Sequence, residues 1–399
     1  MGALNFEPGT AAPLPSVGNL ERASAHLNFE PAAPLRLNLE LQLCCLLWAK
    51  PAACRLSMMT IAYIVTAQTH EGPLNVVKAL IREMTKRGNV CTLLYLEDRE
   101  EIDFGCEKKR IGYWDDIDLA AFDVVHTHGI KPMWFVYLYL LRHRRPKHTR
   151  FVTTLHSFIG EDFQWKYGRW KGWLLSKCFL HLANCHDVAI TLSDVATQYY
   201  SRWIPKKKLM RCYHGMDLEA REDNCGEEHQ NLVVGTYCAL ERIKGVDVLI
   251  KAMDYLPENT QLVVIGNGSE RARLEAQSEH LGGRVTFMGD QLEPYRFLPS
   301  FDVFVVASYS EGFCLALLEA AHYGKEVVCS DIPGMREKFS DEEVTYFETG
   351  KAEDLAHKIL LAQGAHHGDN LKRRAQFFSE ESMGQSHLAI YREDKSLIK

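Results

Sequence analysis

The sequence predicts an α/β protein with two doubly wound domains, each built around a parallel sheet. Three observations support this fold class. The chain has 399 residues, which suffices for two domains of ordinary size. In both halves, short apolar and β-branched runs alternate with amphipathic helical patterns, as in repeated β-α-β units. Several of these runs are followed by loops with glycine, histidine or glutamate, and ligands of open α/β sheets bind at the carboxyl ends of the strands.

Composition is that of an ordinary globular protein, with 46% apolar and 25% charged residues. The 12 cysteines include no C-x-x-C pair, so neither a zinc site nor a disulfide framework is predicted, and a reducing cytoplasm is the simplest compartment. Residues 59–217 carry 23 Lys and Arg against 17 Asp and Glu, whereas residues 218–399 carry 19 against 31. The basic half favours an anionic partner, although an excess of this size also arises by chance.

Residues 1–57 do not have the pattern of a folded domain. The segment Leu4–Pro8 recurs at Leu27–Pro31, and Pro and Ala are frequent around both copies. The apolar run Leu41–Ala49 is too short to span a bilayer. We therefore expect residues 1–57 to be a disordered or non-native extension, and the first domain to occupy residues 58–217.

The first domain begins with a strand, a loop, a helix and a second strand. Strands are predicted at Ile61–Thr66, Val90–Leu96, Asp123–His128, Phe151–Leu155 and Val188–Leu192, and the first helix at Leu74–Arg87. The first loop is not G-x-G-x-x-G, which disfavours a dinucleotide-binding dehydrogenase. His126, His128 and His156 lie at strand ends and are expected near the cleft. A lone histidine is more often structural, but three at equivalent positions weaken that alternative.

The second domain is predicted over residues 231–380, after an acidic linker at 218–230. Its strands are expected at Val233–Cys238, Gln261–Gly266, Val285–Gly289 and Val303–Ala307, and a helix at Val246–Met253. This is a second series of β-α-β units of the same kind as the first.

The stretch Ser308–Ala320 carries the strongest functional signal. It is a tight loop after the last of these strands, and it continues into a helix that stops at Gly324. Glu311 and Glu319 are separated by about two helical turns, or ~12 Å along the axis. The helix start between them offers free N–H groups and partial positive charge to a diphosphate, and the carboxylates suit sugar and ribose hydroxyls. The plainer alternative is a first-turn carboxylate followed by a solvated Glu319.

This segment resembles the Glu-x7-Glu motif of retaining glycosyltransferases, especially glycosyltransferase family 4, whose members often have S-E-G-F-G-L-x-x-L-E-A. Its continuation over Gly324–Glu337 is similar to the family's G-K-P-V-V-x-S-D-x-x-G-x-x-E, and Lys244–Ile250 to its K-G-x-D-x-L-I. The resemblance covers roughly residues 60–395. It implies the GT-B architecture, in which two Rossmann-like domains face each other across a cleft and a C-terminal helix, here within residues 381–399, crosses back to the first domain.

The resemblance also implies roles for individual residues. Glu311 would hold the donor sugar, His156 would contact it and Lys244 would neutralise the diphosphate, so these three are the expected catalytic residues. The other implied donor-binding residues are Gly72, Arg242, Gly266, Gly268, Gly312, Phe313, Cys314, Leu315 and Glu319. The resemblance implies a UDP- or GDP-sugar as substrate, no bound cofactor, no metal, and transfer with retention without an enzymatic nucleophile.

Four positions depart from the family pattern. Ala239 stands where an arginine is usual, Glu71 where the first loop has glycine, His214 where N-G-V-D has asparagine, and Cys314 where a glycine is usual. The first two leave open a non-catalytic GT-B subunit or scaffold that binds nucleotide-sugar or glycan without turnover. A GT-B nucleotide-sugar epimerase is a further alternative. The retained Glu-x7-Glu segment favours an enzyme, a nucleotide-sugar-dependent hexosyltransferase.

Two stretches of the first domain concern the acceptor. Arg142–Lys147 is a dense basic run, and Trp165–Leu175 mixes tryptophans with cations, as interfacial helices do. A partly buried helix with a solvated face explains the second stretch equally well. We expect a glycan or lipid-linked acceptor in cell-surface polysaccharide or lipopolysaccharide synthesis, and no nucleic acid. The expected location is cytoplasmic, with peripheral contact with the inner face of the cell membrane.

Overall fold

The first domain is organised around a parallel sheet. The computed structural model describes residues 58–68, 72–99, 102–217 and 231–393, and both the expected extension 1–57 and the expected linker 218–230 lie outside these residues. Within the described residues the strands are Thr60–Ala67 (β1), Val90–Glu97 (β2), Glu107–Arg110 (β3), Val124–His128 (β4), Arg150–Leu155 (β5), Val188–Thr191 (β6) and Leu209–Arg211 (β7). The helices are Gly72–Lys86 (α1), Ile130–Arg142 (α2), Ile159–Tyr167 (α3), Arg169–Asn184 (α4) and Asp194–Tyr200 (α5). The strand order is β3-β2-β1-β4-β5-β6-β7.

The second domain repeats this architecture. Its described strands are Val233–Tyr237 (β8), Gln261–Ile265 (β9), Val285–Gly289 (β10), Val303–Val306 (β11), Glu326–Ser330 (β12) and Thr345–Phe347 (β13), in the order β10-β9-β8-β11-β12-β13. The helices are Val246–Ala252 (α6), Arg271–Ser278 (α7), Leu315–His322 (α8), Pro333–Arg336 (α9), Ala352–Ala362 (α10), Gly368–Ala375 (α11) and Glu380–Arg392 (α12). The strand pairs of both sheets are parallel, which confirms the predicted α/β class.

The central strands are buried on both faces because helices cover each sheet from both sides. Every residue of β4, β8 and β11 is buried, so none of these strands alternates between apolar and exposed polar residues; β11 is apolar throughout, whereas β4 and β8 begin with two valines and continue with buried polar or small residues. Strand β10 lies at a sheet edge, and its residues alternate between exposed and half-buried positions. Burial on both faces is therefore what made the central strands predictable.

Each sheet has one point at which the winding reverses. The chain runs outward from β1 to β3 and then returns to β4 on the other side of β1; the second sheet does the same between β8 and β11. Loops after these strands diverge to opposite faces and leave a crevice, which is where open α/β sheets bind ligands. The fold thus marks the ends of β1, β4, β8 and β11 as the candidate site.

The last helix, α12, joins the two domains. It packs on α1, and Arg82 of α1 donates through Nε to the Glu380 carboxylate over 2.9 Å. Near the C-terminal end of α12, the buried Tyr391 hydroxyl lies 2.7 Å from Nδ1 of His126 on β4 and 3.2 Å from the Tyr63 hydroxyl on β1. These buried contacts tie the end of the described chain to the centre of the first domain.

Four observed strands, the inner strand β12 and three edge strands, have no bounds in the sequence prediction. Strand β3 reads Glu-Lys-Lys-Arg and lies at a sheet edge, where charged residues are common and no apolar run is needed. Strands β7 and β13 contain three residues each and also lie at edges, so neither has a recognisable periodicity. The other predicted strands and helices agree with the structure to within two residues at each end.

The tryptophan-rich stretch forms two helices rather than one. Gly168 separates α3 from α4 and has a φ of +79°, a conformation that glycine adopts without strain. A Cβ atom on Gly172 would lie 2.5 Å from the carbonyl oxygen of Phe163, so this glycine lets the two helices pack closely. Among the described residues, no helix has both the length and the apolar character needed to cross a bilayer.

Candidate active site

Four loops from the two domains meet at the points where the sheet winding reverses. Gly72 follows β1, His128 ends β4, Lys244 lies in the loop after β8, and Glu311 in the loop after β11. Both domains belong to one compact unit. The structure therefore brings the predicted residues of both domains to one cleft.

The loops make direct contact across this cleft. A Cβ atom on Gly312 would lie only 1.9 Å from the carbonyl oxygen of His156, so the second-domain loop touches the first-domain backbone. On the other side, a Cβ atom on Gly72 would lie 3.4 Å from Cδ1 of Leu315 at the start of α8. The φ of Gly312 lies outside the positive region that favours glycine. Its close approach to the His156 carbonyl, and not its backbone conformation, is therefore what requires a residue without a side chain.

Glu311 and Lys244 form the central ion pair of the site. Lys244 Nζ lies 2.6 Å from Glu311 Oε1, and the Ser308 hydroxyl donates to the same oxygen over 2.7 Å. The side chains are 26% and 10% exposed respectively. Burial opposes the charged form of Lys244, but the Glu311 carboxylate raises the lysine pKa above its ordinary value. Lys244 is therefore a fixed cation, with ammonium hydrogens in excess of the one that Glu311 accepts.

The start of α8 lies beside this ion pair. Cys314 precedes the helix with a φ of +66°, a left-handed conformation that costs a non-glycine residue about 1–2 kcal/mol. The first N–H groups of α8, beginning at Leu315, have no partner within the helix and lie at its positive end. A buried cation and a helix start side by side form a place for an anionic group.

Phe313 contributes to this loop through its backbone rather than its ring. The side chain is buried, with its ring 5.6 Å from His214, 5.4 Å from Phe378 and 6.0 Å from Tyr213. The ring therefore anchors the loop to the aromatic core, and what it can offer a ligand is its N–H group.

Glu319 is buried and hydrogen-bonded, so the alternative of a solvated carboxylate is wrong. Its Oε2 accepts a 2.6 Å hydrogen bond from the Tyr237 hydroxyl at the end of β8. Burial raises the pKa of Glu319 to about 7, and the hydrogen bond from Tyr237 acts in the opposite direction. Glu319 thus changes charge near neutral pH. Tyr237 was missed in the sequence because 82 residues separate it from Glu319.

His156 is the middle member of a row of three histidines. Its Nε2 lies 3.0 Å from Nδ1 of His128, and its Nδ1 lies 3.3 Å from Nε2 of His214. Burial, and then the neighbouring histidines, lower the pKa of each ring, that of His156 to about 4, so the row is neutral at physiological pH. A sugar hydroxyl that bonds a His156 ring nitrogen must therefore replace one of these two partners. Among the described residues, no group of three or more His, Cys, Asp or Glu side chains is arranged to hold a metal ion.

The remaining predicted residues line the loops around β8. Gly266 has a φ of +121°, and a Cβ atom there would lie 2.1 Å from the Cys238 carbonyl oxygen; on Gly268 it would lie 2.4 Å from that of Leu240. Packing alone therefore explains why both are glycines. Arg242 is 61% exposed and lies 3.6 Å from the carboxylate of Glu270, whereas Glu311 pairs with Lys244.

Helices of the first domain also contact the second domain beside the site. Trp165 of α3 stacks on Tyr309, with ring centroids 5.3 Å apart and planes tilted by 22°. Glu337 accepts hydrogen bonds from the backbone N–H groups of Asp194 and Val195 over 2.7 and 2.9 Å, and thereby caps α5. Neither contact has a sequence signal, because each joins residues more than 140 positions apart.

Two family models match the chain. The model described as "Glycosyl transferases group 1" matches residues 220–373, and the model described as "Glycosyltransferase Family 4" matches residues 108–220. They meet at the segment that links the two domains. The N-terminal match thus falls on the first domain and the C-terminal match on the second.

Curated relatives and solved structures agree with these matches. The O-antigen biosynthesis glycosyltransferase WclY of Escherichia coli is 28% identical over 304 residues, which are 72% of this chain and 84% of WclY. The N,N'-diacetylbacillosaminyl-diphospho-undecaprenol alpha-1,3-N-acetylgalactosaminyltransferase of Campylobacter jejuni is 29% identical over 154 residues, 37% of this chain and 41% of the relative. The structure of Anabaena HepE in complex with UDP and glucose aligns with a TM-score of 0.69 at 18% identity, over 84% of this chain and 100% of HepE. That likeness shows the fold.

Proposed function

The chain belongs to the glycosyl transferases group 1 and is a nucleotide-sugar-dependent glycosyltransferase of GT-B fold; we propose that it is a retaining enzyme of cell-surface polysaccharide or lipopolysaccharide synthesis. Its donor would be a UDP- or GDP-sugar, and its acceptor a glycan or a lipid-linked glycan. One observation carries the site assignment: the Lys244–Glu311 ion pair lies beside the start of α8.

Lys244 and the start of α8 are the proposed binding site for the donor diphosphate. When the glycosidic bond breaks, negative charge develops on the leaving nucleoside diphosphate, and fixed positive groups lower the energy of that state. Lys244 is held in place by Glu311 and keeps hydrogens for a phosphate oxygen. The first N–H groups of α8 add partial positive charge without any side-chain movement.

The two glutamates are the proposed sugar and ribose contacts. Glu311 is the carboxylate nearest the diphosphate cation, so we assign it to hydroxyls of the donor sugar. Glu319 is the fifth residue of α8, and with Tyr237 bonded to its Oε2 we assign Oε1 to a ribose hydroxyl. In this scheme both carboxylates orient the donor, and neither attacks the anomeric carbon.

The acceptor proposal rests on the relatives and on one exposed surface. WclY is named for O-antigen biosynthesis, and the Campylobacter jejuni relative for a diphospho-undecaprenol acceptor. In this chain Trp170, Trp173 and Leu174 of α4 are 86%, 53% and 64% exposed. Lys177 lies 6.0 Å from the centre of the Trp173 ring. Exposed tryptophans beside cations suit an anionic lipid surface, and we call these four residues the α4 surface.

The basic run Arg142–Lys147 lies at the opposite end of the first domain from the cleft. Helix α2 begins after the carboxyl end of β4 and extends for 13 residues, which is about 18 Å, before it reaches Arg142. Arg142 donates to the Tyr113 carbonyl, and Arg145 pairs with Asp187 just before β6. We therefore assign the membrane contact to the α4 surface, which follows directly after α3, the helix whose Trp165 stacks on Tyr309.

A donor screen followed by product analysis tests the proposal. UDP- and GDP-sugars are first compared by thermal shift, since a ligand that binds only the folded state raises its Tm. The donor with the largest shift is then incubated with candidate lipid-linked acceptors, and the anomeric configuration of the product is read by NMR. We expect the same configuration in donor and product. An inverted product contradicts the retaining mechanism, and a chain that binds no nucleotide-sugar contradicts the donor assignment.

A further inference from the structure

A lysine lies buried directly behind the loop that carries Glu311. Lys338 is 1% exposed and follows α9 in the chain. Its Nζ donates to the backbone carbonyl of Gly334 and lies 3.4 Å from that of Gly312. The ammonium group also lies 5.3 Å from the centre of the Phe313 ring. Lys338 therefore fastens the Glu311 loop from the second-domain side.

This lysine is an unusual charge for a protein interior. In the described part of the chain its Nζ bonds only to backbone carbonyls, and a buried ammonium group without a bonded carboxylate is costly. The charged and titratable groups that face it are Glu311 and Cys314 of the loop, Glu337 beside it in the chain, His214 after β7 and Arg374 of α11, which donates to its backbone carbonyl. Such groups are concentrated at functional sites more than in ordinary cores.

The contact with Gly312 has a geometric consequence for the loop. In a trans peptide the C=O and N–H groups point in opposite directions. If the Gly312 carbonyl points to Lys338, the N–H of Phe313 points away from Lys338. The ammonium group also polarises this peptide and so strengthens the N–H as a donor.

We infer that Lys338 is a positioning residue for the donor diphosphate: it orients the Gly312–Phe313 peptide and places a positive charge behind the loop that receives the phosphates. This inference rests on the proposed function, because it requires a diphosphate beside the Glu311 loop. The residue does not touch the donor itself.

The role of Lys338 makes donor affinity depend on pH. Burial lowers the pKa of Lys338 to about 8, although Glu337 acts in the opposite direction. A bound diphosphate favours the protonated lysine, so the contribution of Lys338 to donor affinity is complete below its pKa and is lost as the pH rises above it. Burial raises the pKa of Cys314, and it lowers that of His214 well below the ordinary value. Since Glu319 titrates near 7, it is mostly ionised over the range above about pH 7.5, and a variant without the lysine distinguishes Lys338 from the other groups of protein and ligand that titrate there.

The test is a calorimetric titration of UDP and of GDP into the full chain, from about pH 7.5 to about pH 9.5. We expect the wild-type affinity for the better ligand to fall about tenfold over this range, as for one charge in a partly screened interior. Lys338→Met keeps the length and apolar contacts of the side chain, and should bind about tenfold more weakly at the lower pH, without further loss. Lys338→Arg should bind well across the range because its guanidinium stays charged. Lys372→Met, which removes an exposed lysine from α11, is the matched control and should behave as the wild type.

Three results overturn the inference. Wild-type affinity that does not change with pH contradicts it, and so does Lys338→Met with wild-type affinity and pH profile. If the methionine variant does not fold, Lys338→Arg with the same pH profile as the wild type contradicts it instead. In all three cases tight binding by the wild type leaves the proposed function intact. A wild-type chain that binds neither UDP nor GDP contradicts the proposed function and this inference together.

Discussion

Replacing Glu319 with Gln distinguishes two effects of this buried carboxylate. One is the stability that the protein loses by burying it, and the other is the affinity for the nucleotide that it provides. The carboxylate is buried, and its pKa of about 7 compares with an ordinary value of 4.5. The folded state therefore holds a proton that the unfolded state has released between these two pH values, so stability falls as the pH rises from 4.5 to 7. A difference of this size corresponds to about 3 kcal/mol of unfolding free energy that is lost above pH 7.

Glutamine keeps the shape of the side chain and an oxygen for the Tyr237 hydroxyl, but it carries no charge. The variant and the wild type should thus have similar Tm values near pH 5, where both side chains are neutral. Near pH 8 the variant should melt higher by about 6–12 °C, as about 3 kcal/mol implies for a domain of this size. Its affinity for UDP or GDP should fall about tenfold at the same pH, because a charged acceptor for the ribose is lost.

Differential scanning calorimetry at the two pH values and titration of the nucleotide measure the two effects on one preparation. Glu342→Gln removes an exposed carboxylate from the same domain and is the matched control, with no change expected in either measurement. A Glu319→Gln variant that gains no stability at the higher pH would show that the carboxylate is not held in a buried environment. Unchanged nucleotide affinity would remove Glu319 from the donor site.

Three further predictions concern other parts of the cleft. Gly312→Ala places a methyl group 1.9 Å from a first-domain carbonyl oxygen, so kcat/KM should fall about 100-fold by displacement of the loop, whereas Gly364→Ala, with open space around it, should retain the wild-type value. Lys244→Ala should cost roughly 1.5–3 kcal/mol of nucleotide binding, and calorimetry with unchanged affinity would exclude this lysine from the site. Replacing Trp170 and Trp173 with Ser should weaken binding to anionic vesicles at low salt while nucleotide affinity stays intact, and wild-type protein that does not bind such vesicles would contradict the membrane proposal.

The sequence was informative where local pattern and burial coincide. Central strands are buried on both faces, so the apolar run of β11 and the paired valines that begin β4 indicated them, and the loop with Glu311 was recognisable because its motif is contiguous. The order of strands, once known, explains why Gly72, Lys244 and Glu311 meet: each follows a strand at a reversal point. Short edge strands escaped prediction because an edge needs neither an apolar run nor length.

The partners of the predicted residues were not available from the sequence. Glu311 bonds Lys244 across 67 positions and Glu319 bonds Tyr237 across 82, and no spacing rule connects residues so far apart. The row of histidines is a similar case: the strand ends predicted that His128 and His156 lie together, but the bond from His156 to His214 depends on the chain beyond β7. Only the tertiary structure therefore shows which polar atoms of the predicted residues are hydrogen-bonded within the protein and which remain for a ligand.

The two buried groups that titrate near neutral pH act on the same ligand with opposite signs. Glu319 must lose its proton to accept a ribose hydrogen bond as a carboxylate, which occurs as the pH rises through about 7. Lys338 must keep its proton to attract the diphosphate, which it does until the pH passes about 8. The two favourable charges therefore coexist to the greatest extent around pH 7 to 8. Each group is costly to bury, and both costs are explained if the site is arranged for an anionic donor whose phosphates lie at the start of α8 and whose ribose lies beside Glu319 within that helix.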